Sequence, residues 1–258
     1  MGDPGINHVA ARGFERAGQE YERGRPGYPP EAIALLVHEL RLGPERTIVD
    51  LAAGTGKLTR ALVGTGARLI AVEPVAGMRA QLVAAVPQAE ALEGTAEAIP
   101  VPDDGADAVL VAQAFHWFDA ARAAREIHRV LGPGGGLGVI WNEWDESVEW
   151  VGQMQEMVHA YAGDAPRAAT TRWPEQLAAS GLFGALSERA FPHVVTGDLD
   201  ALTARVSSVS YISALEDGER EHFLQTVRAL VATHPRTREL DRLPMPYTAR
   251  VAWCRARA

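Results

Sequence analysis

Apolar positions along the chain fall into short unbroken runs punctuated by Gly and Pro, and into stretches spaced for one face of a helix. The first run, Thr47-Ile-Val-Asp-Leu-Ala52, is followed by turn residues and then by Leu58-Thr-Arg-Ala-Leu-Val at helical spacing. That order predicts a strand, a tight turn and a helix. A second strand follows at 68–73 and a second helix at 78–85. Further strands are predicted at 91–93, 106–112 and 137–141, with a helix over 119–131. Strands alternating with helices of this length require a parallel sheet with right-handed crossovers and helices on both faces. After Trp141 the rhythm changes. An amphipathic stretch at 147–161, a short helix at 173–180 and a strand at 187–195 precede helical stretches at 199–214 and 219–232. The chain closes on a strand at 246–253. The expected fold class is therefore α/β: a doubly wound core with a mostly helical cover over the ligand site.

Composition bounds the function. At 258 residues and 47% hydrophobic, the chain is long enough for one sizeable core but short for two full domains. A single domain is expected, with a core at about 30–142, 185–197 and 245–256, an N-terminal cap at about 7–29 and a helical cover at about 146–182 and 198–240. A formal charge of -8 opposes broad attraction to nucleic acid, whose recognition needs clustered Lys and Arg. The single cysteine, Cys254, has no partner within the chain for a disulfide. No run reaches the ~20 apolar residues of a membrane helix, and no basic-then-apolar leader opens the sequence. These features lead to the expectation of a cytoplasmic protein with no membrane or nucleic-acid partner. The sequence leaves the oligomeric state open.

The chemistry concentrates in Asp50-Leu-Ala52-Ala-Gly54-Thr-Gly56-Lys57-Leu-Thr59, at the carboxyl end of the first strand, where open α/β sheets bind ligands. A phosphate loop would need a Gly five residues before Gly56 and Ser or Thr after Lys57, but Leu51 and Leu58 stand there. A dinucleotide turn counted from Gly54 meets Thr59 where Gly or Ala belongs, although Glu73 lies at a suitable distance to hold ribose hydroxyls. A third reading is an adenosyl sulfonium site: an acid ends one strand, a flat glycine turn passes beneath the amino-acid moiety, and a second acid ends the next strand. Asp50, Gly54, Gly56 and Glu73 occupy those places.

In these residues the sequence resembles the class I S-adenosylmethionine-dependent methyltransferases, whose signature is an acid followed by Gly-x-Gly-x-Gly with Asp or Glu ending strand two. The likeness continues through Glu73-Pro74-Val-Ala-Gly-Met78, Glu93-Gly-Thr95-Ala96-Glu97-Ala-Ile99-Pro, the 107–113 segment and Arg129-Val-Leu-Gly-Pro-Gly-Gly135. It covers about residues 14–142. It implies a Rossmann-like sheet of about seven strands, mostly parallel with the last strand antiparallel, and S-adenosylmethionine as cofactor. By the same resemblance, Glu73 would bind the ribose, Asp50 would order the turn, Met78 and Ile99 would enclose adenine, and Thr95, Ala96 and Glu97 would run along its edge. Two positions depart from the pattern. Ala52 replaces the first Gly, and Thr95 replaces the acid that often accepts from the adenine amino group, a contact that would pass to Glu97 or be lost.

Tyr21-Glu-Arg-Gly-Arg25-Pro-Gly-Tyr28 resembles the cofactor-closing segment of small-molecule methyltransferases of the trans-aconitate subgroup. There Arg25 is a candidate for the methionine carboxylate, and Tyr21 and Tyr28 for substrate contacts. Gln113-Ala114-Phe-His116-Trp117 resembles the same subgroup after strand four. Gln113 and Ala114 would line the cofactor, and His116 and Trp117 would face the acceptor. His116 is a candidate base; equally it would pack on its aromatic neighbours and cap the next helix. Trp141 and Asn142 are further candidate substrate contacts. No metal-ligand spacing and no nucleophile elbow occur. The expected activity is methyl transfer to a small-molecule acceptor. A non-methylating binding or ring-forming protein on the same fold, and a nicotinamide-dependent oxidoreductase, remain alternatives.

Overall fold

The computed structural model describes residues 25–163 and 172–257. One 7-stranded sheet organises the chain, in the order β3-β2-β1-β4-β5-β7-β6. Strands β1 (Thr47–Leu51), β2 (Arg68–Val72), β3 (Glu90–Leu92), β4 (Ala106–Ala112) and β5 (Leu131–Trp144) pair in parallel. β7 (Leu243–Arg255) runs antiparallel to both β5 and β6 (Ser187–Gly197), so β6 shares the direction of the parallel strands and β7 alone opposes them. The mostly parallel sheet with an antiparallel last strand follows the sequence expectation. From β1 the chain builds outward through β2 and β3, then returns to place β4 on the other side of β1. That reversal opens a crevice at the carboxyl ends of β1 and β4.

The central strands are apolar on successive residues because both faces are covered. Ile48, Leu110 and Ile140 pack on one face under helix α1 (Pro30–Leu40) and helix α2 (Lys57–Leu62). Val49, Val111 and Val139 pack on the other under α4 (Ala120–Val130) and α6 (Trp173–Ala179). Helix α3 (Ala76–Ala85) follows β2 and buries Met78 and Leu82. A third apolar cluster makes the cover. It joins α5 (Glu149–His159), α7 (Leu199–Ser207), α8 (Ser210–Ser213) and α9 (Asp217–Thr233) around Tyr247 and Met245 of β7.

Two expectations need correction. β5 runs over Leu131–Trp144 rather than 137–141, because Leu131 and Gly136 pair with β4 on either side of a bulge and the polar end, Asn142 and Glu143, pairs with β7. The helix expected over 199–214 is broken at Ser208-Val209, where the hydroxyl of Ser208 donates to the Arg205 carbonyl at 2.7 Å and offers the backbone an alternative to the next helical turn.

Candidate active site

β1 delivers a turn in which three alternate residues adopt the left-handed region: Ala52 (φ 56°), Gly54 (φ 58°) and Gly56 (φ 85°). Gly56 sits at the N-cap of α2, and a Cβ there would meet Leu82 Cγ at 3.0 Å. Ala52 keeps the conformation a glycine would supply, at a cost of roughly 1–2 kcal/mol for an L-residue. The turn is tied to β2. The Ala53 amide donates to the Val72 carbonyl at 3.1 Å, and the Gly54 amide donates to Glu73 Oε2 at 2.9 Å. Glu73 Oε1 accepts from the Val75 amide at 2.8 Å. Both oxygens retain lone pairs beyond these bonds. Burial raises the Glu73 pKa, while these amides and Arg79 pull it back.

Asp50 ends β1 almost fully buried. Thr59 Oγ1 donates to its Oδ2 at 2.5 Å, and its Oδ1 is buried with no hydrogen-bond partner. Burial pushes its pKa up to about 7. Thr59, which spoils a dinucleotide turn, thus anchors this acid. Pro74 and the Glu73 main chain offer their carbonyls to Arg79 Nη1, fixing the corner after β2. Met78, Ala96 and Ile99 are buried nearby in the sequence of strand ends, and Gly94 lets Pro100 approach so closely that a Cβ would lie 2.5 Å from Pro100 Cδ. Thr95 closes a small bridge with Ala98, and Glu97 Oε1 accepts from the Asp119 amide at 2.9 Å.

The segment from Arg25 to Tyr28 lies across this turn as a strap. Among its attachments, Arg25 Nη2 donates to the Ser208 carbonyl at 3.4 Å, and Asn142 Nδ2 donates to the Gly27 carbonyl at 2.8 Å. Arg25, Tyr28, Ala52, Thr55, Gln113 and Arg205 line one narrow cleft. Gln113 also has positive φ, 59°, and its side-chain Nε2 donates to the Asn142 carbonyl at 3.2 Å. Ala114 is buried beside it. His116 packs against Trp117 with ring centroids 4.8 Å apart, and its Nδ1 is buried without a hydrogen-bond partner. Burial, and secondarily the charge of Arg25, lower its pKa to about 4, so the imidazole is neutral at pH 7. His116 does not cap α4. Asp119 does, accepting from the Ala121 and Arg122 amides, because a carboxylate at the N-cap reaches those donors from an extended backbone.

Successive strand residues point to opposite faces, so Trp141 and Asn142 part company. Asn142 holds the strap and keeps a buried, unpartnered Oδ1. Trp141 instead packs at a tilt of 36° against Trp173, centroids 5.2 Å apart, and lines a separate cleft of about 350 Å³ with Pro174 and Arg250. Tyr21 lies outside the described residues.

Arg205 is the residue that sequence reasoning missed. It is buried on the inner side of α7, its guanidinium carbon 5.6 Å from the Trp144 ring centroid and its side chain hydrogen-bonded to the Tyr247 hydroxyl. Burial raises the Tyr247 pKa to about 12, so Tyr247 meets Arg205 as a neutral phenol. The available sign was an arginine among Leu202 and Val206, on the apolar stripe of a cover helix.

The architecture has relatives. A family model described as a methyltransferase domain matches residues 49–139, which run from β1 to β5. An uncharacterized methyltransferase of Mycobacterium tuberculosis is 43% identical over 234 residues, covering 91% of each chain. An uncharacterized methyltransferase-like protein of Schizosaccharomyces pombe is 33% identical over 229 residues, covering 88% of this chain and 89% of that one. Among solved structures, a candidate methyltransferase from an antibiotic biosynthesis pathway of Anabaena variabilis superposes with a TM-score of 0.64 at 21% identity, over 90% of this chain and 98% of that one. A SAM-dependent methyltransferase of Thermotoga maritima gives 0.55 at 18% identity, over 97% and 99%. The order of strands, the glycine turn with its two strand-end acids, and full-length relatives above 30% identity agree: the chain belongs to the class I methyltransferases.

Proposed function

We propose that the chain transfers a methyl group from S-adenosylmethionine to a small-molecule acceptor by in-line displacement. The observation that carries this reading is the union of the glycine turn with Glu73. The Gly54 amide and the carboxylate of the neighbouring strand end form one rigid cradle, with the spare lone pairs of Glu73 available to ribose hydroxyls. The residues fit the donor elsewhere too. The buried, unpartnered Oδ1 of Asp50 suits an ammonium group, directly or through water, and Gly54 and Gly56 let the backbone come close. Arg25 and Arg205 bring two guanidinium groups to the cleft for the methionine carboxylate. Met78 and Ile99 would bracket adenine, with Thr95 and Ala96 along its edge. Glu97 already serves the Asp119 amide with one oxygen, which leaves the other for the adenine amino group.

When bound, the donor supplies a methyl group on a positively charged sulfur. The protein's work is then alignment, which for a well-oriented reaction is worth roughly 7–11 kcal/mol. Gln113 and Ala114 line the sulfur side, and Tyr28, Trp117 and the free oxygen of Asn142 are placed toward the acceptor. His116 is neutral at pH 7 and holds an unshared Nδ1, but a pKa of about 4 makes it a weak base. An acceptor that arrives already ionised, or whose proton leaves to water, matches it better than one that must be deprotonated by it.

Calorimetric titration with S-adenosylmethionine, S-adenosylhomocysteine and NADH, each alone, tests the reading. Micromolar binding of the two sulfur nucleosides and none of NADH is expected. Glu73→Ala should weaken nucleoside binding about 10- to 100-fold, as loss of hydrogen bonds to a charged group does. A folded Glu73→Ala protein with unchanged affinity would overturn the assignment of Glu73, and a folded wild type that binds neither nucleoside would overturn the donor.

A further inference from the structure

The opposite edge of the sheet, where β1, β4 and β5 begin and β7 ends, carries a second concentration of charge. Arg41, Arg46 and Arg255 surround an open cleft of about 330 Å³, floored by Pro133, Gly134 and Asp107. The acid is spent: Arg46 Nη1 donates to Asp107 Oδ1 at 2.6 Å, and the Thr47 amide donates to Oδ2 at 2.8 Å. Arg255 is held against main chain, Nη1 donating to the Gly134 carbonyl at 3.0 Å and Nη2 to the Glu39 carbonyl at the end of α1. Arg41 differs from both. It closes α1 with a left-handed backbone, φ 55°, stands exposed, and its guanidinium makes no hydrogen bond or ion pair among the described residues.

Three guanidinium groups around one cleft repel one another. Burial first, then the charges of Arg41 and Arg46, weaken the hold of Arg255 on its proton against an opposing pull from Glu39. The negative features at this edge are the Asp107 carboxylate, engaged by Arg46, the Glu39 carboxylate, paired with His38 and pulling on Arg255, and the last carbonyls of α1; three guanidinium groups thus face two carboxylates. In a chain of net charge -8 this is a local reversal of sign. Guanidinium groups present planar forks that match phosphate oxygens in pairs, and the cleft has the volume of a small-molecule pocket.

We infer that this cleft binds a compact, soluble, phosphate-bearing molecule, with Arg41 and Arg46 gripping the phosphate and Arg255 fixed behind them. The site is distinct from the glycine-turn cleft, since the two lie at opposite ends of the same strands. It would serve a ligand that does not compete with the methyl donor.

Inorganic pyrophosphate, titrated calorimetrically into the full chain at low ionic strength, is the probe. One-to-one binding in the submillimolar range is expected, weakened about tenfold or more by Arg41→Gln and changed less than about twofold by Arg25→Gln. Because Arg41 makes no side-chain bond among the described residues, Arg41→Gln should keep the wild-type melting temperature, so lost binding cannot be ascribed to unfolding. Three results would overturn the inference: no pyrophosphate binding by folded wild type, undiminished binding by Arg41→Gln, or a loss that follows Arg25→Gln and so places the anion in the other cleft.

Discussion

Two buried titratable groups flank the site, and their displacements have opposite signs. Asp50 has a folded pKa of about 7 against an ordinary 3.8, because burial penalises its ionised form. Its contribution to stability is therefore complete below pH 3.8 and is lost as pH rises through 7. His116 has a folded pKa of about 4 against 6.5, again through burial, with Arg25 adding to it. Its contribution is complete above pH 6.5 and is lost as pH falls through 4. Between pH 4 and 6.5 the two slopes oppose each other. Removing one should expose the other: relative to wild type, Asp50→Asn should lose stability more steeply on acidification from pH 6.5 to 4, and His116→Phe less steeply. Denaturant midpoints measured at half-unit pH steps check this, and parallel profiles for all three proteins would remove both assignments. A second consequence concerns binding. If a cationic donor settles beside Asp50, it favours the ionised carboxylate, so binding at pH 6 should release protons. The calorimetric enthalpy should then change with the ionisation enthalpy of the buffer.

The joint between β1 and α2 shows why its three left-handed residues are not equivalent. At Gly56 both backbone and space disfavour a side chain: φ is 85° and a Cβ would lie 3.0 Å from Leu82 Cγ, which would have to give way. Gly56→Ala should therefore cost at least about 1–2 kcal/mol from the left-handed conformation alone. Ala52 already carries that strain, so Ala52→Gly should relieve it, offset by the ~0.5–1 kcal/mol that a glycine loses through greater freedom in the unfolded chain. The pair of variants, compared by urea unfolding, should move in opposite directions or leave Ala52→Gly near neutral; equal destabilisation would contradict the account. This joint was legible in the sequence because an acid, a glycine turn and a helical pattern stand consecutively, and local chemistry determines them. β4 was equally legible, as an apolar run over 108–112 with its central residues buried on both faces. The start of β5 was not, because Gly132-Pro133-Gly134 reads as a turn and does bulge there, Gly134 at φ 77°, while Leu131 before it and Gly136 after it still pair with β4. Arg205 was hidden for a related reason. Its place beside the glycine turn depends on how α7 packs against β7, a contact between segments more than a hundred residues from Gly54 and unmarked by any local pattern.

At the scale of the molecule, the site is assembled by three layers: the sheet, the cover packed on its Trp144 and Tyr247, and the strap. The sheet contributes the turn and Asn142, the cover contributes Arg205 and the Ser208 carbonyl, and residues 25–28 lie between them. The space enclosed between strap, turn and Arg205 is about 30 Å³, room for a few water molecules. On the proposed reading the methionine end of the donor is far larger, so entry there requires the strap to lift, breaking the Asn142 and Arg25 hydrogen bonds. Of these two bonds that of Asn142 is the shorter, 2.8 Å against 3.4 Å. Replacing Asn142 with Leu, of similar size, removes the donor without opening a large void. Asn142→Leu should therefore raise amide exchange at Gly27 and Tyr28 in the free protein, and should speed donor dissociation as well as entry, since the strap has to lift for both. Stopped-flow rates for S-adenosylhomocysteine and hydrogen exchange of the same two amides give the two readouts. If exchange rises while the dissociation rate stays unchanged, the strap is fastened by Asn142 but does not retain the ligand. If neither changes, Arg25 and the cover carry the closure.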